Sequence, residues 1–208
     1  VIRLFGGRRN GRNRSRGQSL VEFTMIIPII MTMALTIAEF GVAFGTNMSM
    51  EEATREGARV GAVLVNGSNS FGCPGYTGAA NVDPQIIAAV QRAIESPGSG
   101  ISLAHVDWIH IYKADATGAP VAGTITTWTV APTLGTGPTV CGVQLDFVQG
   151  TVGSWPAASR NSTLPVSSIG VAIQYEYQLF TPLSALTGLF GVHQITMTDS
   201  TAMALEPS

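Results

Sequence analysis

Charge is scarce in this sequence: Asp, Glu, Lys and Arg together make up 12% of its 208 residues, with a formal net charge of -2. Beyond Val60 the polar residues are mostly Ser, Thr, Asn and Gln, a surface suited to packing against neighbours rather than to recruiting polyanions. Cysteine is scarcer still. Only Cys73 and Cys141 occur, with no C-x-x-C pair and no matching histidine spacing, so neither a zinc site nor a redox motif is expected. The histidines number 3. His105 and His110, five residues apart on one strand, would point to opposite faces and not share a metal, and His193 is isolated. H-E-x-x-H, G-x-S-x-G, Walker and dinucleotide motifs are all missing, and Asp199 beside Ser200 is no more than a chance fragment of a triad. These absences predict a chain without enzymatic activity, metal or cofactor.

What the sequence does have is concentrated at its start. Six of its 11 basic residues, Arg3, Arg8, Arg9, Arg12, Arg14 and Arg16, precede Gln18, and no acid precedes Glu22. From Leu20 to about Phe44 the chain is almost wholly apolar, roughly 37 Å of helix against a hydrocarbon layer of about 30 Å. Arginine on one flank alone sets the orientation, with the N-terminus cytoplasmic and everything past Phe44 outside. A secretory signal would end its apolar core at a small-residue cut site, which the run from Phe23 to Ala38 does not do. A nucleic-acid-binding arm is unnecessary, because topology already accounts for the arginines. An uncleaved signal anchor remains the plain alternative. Val1 leaves open a non-standard start or a truncation.

Glu22 argues for more than an anchor. A carboxylate inside hydrocarbon costs on the order of 2.5 to 3.5 kcal/mol and usually has a partner. The junction Arg16-Gly17-Gln18-Ser19-Leu20-Val21-Glu22-Phe23 resembles a prepilin cleavage site, in which a membrane-embedded peptidase cuts after the glycine and a glutamate stands five residues on. The resemblance implies cleavage between Gly17 and Gln18, and a new α-amino cation on Gln18 one helical turn from Glu22, or within reach of a neighbouring subunit's Glu22. Further along, Ala34, Ala38, Gly41 and Gly45 place small residues on one helix face, where helix backbones can approach closely. Pro28 removes one backbone donor and is expected to kink or loosen the helix. Glu39, about 26 Å beyond Glu22, is expected in the outer headgroup region.

The helical pattern continues past the membrane. Glu51 to Arg55, Glu52 to Arg55 and Glu56 to Arg59 are oppositely charged pairs at helical spacing. Together the glutamate-phenylalanine start at Glu22-Phe23, Pro28, Glu39-Phe40-Gly41 and Ala53-Thr54-Arg55-Glu56-Gly57-Ala58-Arg59 resemble the TadE-like family. Its members are minor pilins or pseudopilins of tight-adherence secretion systems. The resemblance implies a structural subunit, with prepilin peptidase, the membrane and other copies or related pilins as partners, and no nucleic acid. It implies a subunit of the cytoplasmic membrane that becomes part of an extracellular filament. Glu22, Phe23, Pro28 and the small-residue face would serve assembly, with Glu56 and Arg59 as further subunit contacts. The resemblance is strong over about the first 65 residues and weak over the Gly-, Pro-, Ser- and Thr-rich middle.

Three regions follow: a basic leader over 1–17, an apolar helix over 18–65, and an extracytoplasmic domain over 66–208. The last is expected to be α+β, with an antiparallel sheet packed against the N-terminal helix. A short helix is expected over Pro84 to Glu95, capped by Asp83 with Pro84 in its first position. Strands are expected at Val106–Tyr112, Gly123–Val130, Val140–Phe147, Val171–Leu179 and Ile195–Leu205. Trp108, Trp128 and Trp155 are candidates for the core or for a glycan-binding face. Cys73 and Cys141 both fall outside the membrane and are expected to pair, closing a loop worth about 4 kcal/mol in the chain-entropy model. Removal of the leader would leave 5 basic against 13 acidic residues, a net charge of -8. The competing reading is an uncleaved, membrane-tethered domain that binds a ligand or glycan through its middle loops.

Overall fold

The computed structural model of the protein describes residues 12–69, 75–180 and 194–206, with side chains from Gly17 onward. Its first element, α1 (Arg12–Leu64), is a helix of 53 residues, about 80 Å long at 1.5 Å per residue. Helical assignment passes through Pro28 without a break. The helix ends where Val65 and Gly67 turn to positive φ, and Gly67 N–H then caps the carbonyl of Leu64 at 2.8 Å.

A second helix, α2 (Val82–Ile94), lies against the outer part of α1. The strands are β1 (Val106–Ala114), β2 (Thr126–Val130), β3 (Thr139–Val140), β4 (Val143–Gln144), β5 (Phe147–Gln149), β6 (Ser168–Gln178) and β7 (Gln194–Ala204). Five of them form an antiparallel sheet in the order β5-β2-β1-β6-β7, and β3 and β4 make a small separate hairpin. The fold is α+β, as the helix-then-strand order of the sequence predicts.

Alternation of apolar residues fixes which face of the sheet is covered. Ile109 and Ile111 of β1 lie opposite Ile173 and Val171 of β6, all fully buried or nearly so against the helices. The helices approach closely because two glycines of α1 face them. A Cβ at Gly57 would come within 2.5 Å of Val90 Cγ2, and one at Gly61 within 2.7 Å of Ile169 Cδ1. On the other face Tyr112 lies over Gly170, where a Cβ would sit 2.2 Å from the ring.

Two expectations need correction. Asp83 is not the cap of α2: the helix starts at Val82 after a 3-10 turn, and the Asp83 carboxylate instead accepts a hydrogen bond from Arg160 Nη2. That pairing anchors the turn-rich segment after β5 to α2, with Arg160 also lying 5.0 Å from the centre of the Trp155 ring. The strand expected over Val140–Phe147 is split, because Cys141 and Gly142 take positive φ and turn the chain into the β3–β4 hairpin before β5 begins. Of the two roles expected for the tryptophans, Trp128 and Trp155 take the core one, Trp155 beneath Arg160.

Candidate functional site: an apolar helix pinned to an α+β head

The inner half of α1 is an exposed apolar rod. Within Gly17–Leu64 an 18-residue window reaches a mean hydropathy of 2.1, and none of that window is buried. Leu20, Phe23, Met25, Ile29, Ile30 and Met33 are all more than half exposed. The threonines that interrupt this surface satisfy themselves: Thr32 Oγ1 donates to Pro28 O at 2.7 Å and Thr36 Oγ1 to Thr32 O at 2.8 Å, and Thr24 bonds likewise to Leu20. Such back-bonding lets hydroxyls sit in hydrocarbon without an unpaired donor.

At the start of this rod Gln18 Nε2 donates to Glu22 Oε1 at 3.0 Å, so the two residues share one helix face and are in contact. Both side chains are open to the surroundings. Ala34, Ala38, Gly41 and Gly45 are also exposed, and a Cβ at Gly41 or Gly45 would meet nothing within 4 Å. At 100° per residue they lie roughly opposite the stripe Glu39, Ala43, Thr46, Met50 that docks onto the head. Among the described residues, nothing packs on this small-residue face as the head packs on that stripe.

Glu39, expected at the depth of the outer headgroups, has its partners inside the protein. It is buried, 6% exposed, and accepts hydrogen bonds from Tyr177 Oη at 2.8 Å and from the Phe180 amide at 3.2 Å. Both donors come from β6 and its continuation, so a carboxylate in α1 pins the sheet to the helix where the apolar rod ends. Burial, reinforced by the bond to Glu39, raises the Tyr177 phenol well above its ordinary value and keeps it a donor. Below this pin Thr36, Phe40, Ala43, Leu179 and Ile195 line an apolar groove of about 170 Å³. Sequence reasoning missed Tyr177. Its signal was an inward-facing tyrosine near the end of a strand, opposite an acid with no cation at helical spacing.

Higher on α1, Arg59 holds Glu56 through two bonds of 2.8 and 2.7 Å, and this bond draws the Glu56 carboxyl below its ordinary value. Arg55 pairs with Glu51. Both pairs face outward, while Gly57 and Ala58 of the same run are buried against the head. On the buried side Thr54 Oγ1 donates to Asp199 Oδ2 and lies 3.0 Å from Thr201 Oγ1, tying α1 to β7. Asp199 thus has a structural partner. His110 stacks on Trp108 at 3.6 Å and burial lowers its basicity, while His105 sits in a 3-10 turn beside Gln178. Among the described residues no group of three metal-ligating side chains converges. Cys73 and His193 lie outside the described residues.

The architecture defines a class: among the described residues, one helix long and apolar enough to cross a membrane runs unbroken into a small α+β head. Residues 17–59 match the family model of TadE-like proteins, beginning at the glycine of the expected cut and ending at Arg59. No curated protein and no solved structure matches the chain. The match lies wholly within α1, and the apolar stretch it includes is long and apolar enough to cross a membrane.

Proposed function

We propose that the chain is a non-enzymatic structural subunit, a pilin or minor pilin of a type IV or Tad-like filament, cut by prepilin peptidase between Gly17 and Gln18. Before assembly the subunit sits in the cytoplasmic membrane with residues 66–208 outside. Assembly proceeds through α1, whose exposed small and apolar residues exchange lipid for neighbouring helices. The observation that carries this reading is the coincidence at the N-terminus: the TadE-like match begins at Gly17, and Gln18 and Glu22 touch at 3.0 Å. An α-amine released on Gln18 would lie one turn from a carboxylate that is otherwise costly in lipid. Glu56 and Arg59, a charged pair outward on α1, serve as subunit contacts above the membrane. A Cys73–Cys141 disulfide belongs to the same reading. No cysteine among the described residues is a free thiol, and a position outside the membrane is where disulfides form and persist.

The test is the N-terminal residue of the protein recovered from native membranes or filaments, by intact mass and N-terminal peptide sequencing. A chain beginning at Gln18 supports processing. A chain that retains Arg8 to Arg16 rejects it and leaves a signal-anchored envelope domain that binds a ligand or glycan.

A further inference from the structure

The two edges of the five-stranded sheet differ sharply. At one edge β5 pairs over only three residues, Phe147–Gln149, and the Gly- and Pro-rich chain before it turns away. At the other, β7 runs 11 residues in unbroken register with β6, from Ser168↔Ala204 to Gln178↔Gln194, without a bulge. Exposed edges are normally blunted by shortness, proline, lysine, bulges or outward charge. β7 has none of these. It contains no proline and no basic residue, and its one acid, Asp199, is turned to α1 and held by Thr54.

The hydrogen-bond phase shows which groups no described strand takes up. Leu205 N–H donates to Ser167 O at 3.0 Å, so odd-numbered residues of β7 face β6 in the ladder. The amides and carbonyls of Thr196, Thr198, Ser200 and Ala202 therefore point away from the sheet, and the side chains of all four are small and exposed. A row of alternating donors and acceptors at strand spacing is complementary to one thing, an extended backbone.

We infer that the outer edge of β7 receives a β-strand donated by a different subunit, which extends the sheet to six strands. This rests on the proposed membrane anchoring, and that anchoring also excludes a second β7 as the antiparallel partner. Antiparallel pairing of two copies needs a two-fold axis normal to the sheet, which would turn the α1 helices lying on it end over end. Helices anchored in one membrane point the same way. The incoming segment is extended, runs antiparallel to β7 for the better ladder geometry, and carries no acidic residue toward Glu176 and Asp199, since β6 and β7 contain no Lys or Arg.

The test uses the full chain in native membranes, mildly solubilised, with the share of subunit in a larger assembly read by size separation. Thr198→Pro removes one outward donor and no bond to β6, and Thr198→Ala keeps the donor. The proline variant should lose about tenfold of its assembled share or more while its head melts within a few degrees of wild type, and the alanine variant should assemble normally. Equal assembly of all three overturns the donated strand and leaves the filament reading intact. A wild-type chain found only as a monomer overturns both. Should the proline variant not fold, amide exchange in wild type decides. Slow exchange at Thr196, Thr198 and Ser200 in the assembly, and fast exchange in the released monomer, supports the strand; equal exchange in both states overturns it.

Discussion

Two G-x-x-x-G pairs stand sixteen residues apart on the same helix, and they do different jobs. Gly57 and Gly61 are filled: Val90, Ile86 and Ile169 occupy the space that side chains there would need. Gly41 and Gly45 are open, with none of the described residues inside 4 Å of a Cβ there. Identical spacing thus serves intramolecular packing in the outer half of α1 and is left vacant in the inner half. A helix motif says that a backbone can be approached, and the rest of the fold says by what.

The same contrast holds for charge, and breaking it gives the largest expected effect. The ion pair of the head, Arg160 with Asp83, is buried, whereas those of α1 are exposed. Asp83→Ala should strand a buried guanidinium and cost about 3 to 5 kcal/mol in chemical denaturation of the head. Next come the glycines. Gly57→Ala forces a methyl against the stiff Val90 side chain and should cost about 1 to 3 kcal/mol, while Gly41→Ala should change head stability by less than about 0.5 kcal/mol. Equal losses from both would dissolve the distinction between the two pairs.

The pin between the halves is the third target. Tyr177→Phe leaves the buried Glu39 with one donor fewer and should cost about 1.5 to 3 kcal/mol. The phenol is held above its ordinary value, so its contribution is complete below about pH 10, where an unfolded tyrosine ionises, and is lost as pH rises beyond that. Thermal melts from pH 8 to pH 11 should show a decline in wild type that Tyr177→Phe flattens. Smallest is the exposed pair. Glu56 lies below the usual carboxylate range because Arg59 bonds to it, so its stabilisation is present at neutral pH and disappears as pH falls through its lowered value. Exposure limits Glu56→Gln to about 0.5 kcal/mol at pH 7, and a loss several times larger would mean that the pair also packs against something.

Much of this molecule was legible before its structure. The long helix, the α2 segment and the strands β1, β6 and β7 follow from hydrophobic period alone, because each is long enough for its pattern to be unambiguous. Shorter pieces were not. The stretch Val140–Phe147 reads as one strand, yet positive φ at Cys141 and Gly142 folds it back on itself, and no period can register a two-residue turn. Asp83 has the chemistry of a cap and the position for one, but a buried arginine seventy-seven residues away claims it.

The sequence by itself determined where the chain can meet a membrane, which end carries the arginines, and the TadE-like segment over residues 17–59, because these depend on composition and spacing along a single helix. Only the tertiary structure decided that Glu39 is a pin bonded to Tyr177, that Gly57 rather than Gly41 is already packed, and that no described strand pairs with the outer edge of β7. Each of those depends on partners distant in the chain, Tyr177 for Glu39 and Val90 for Gly57, and on the order in which strands settle side by side. Local pattern carries no information about which distant surface arrives to satisfy it.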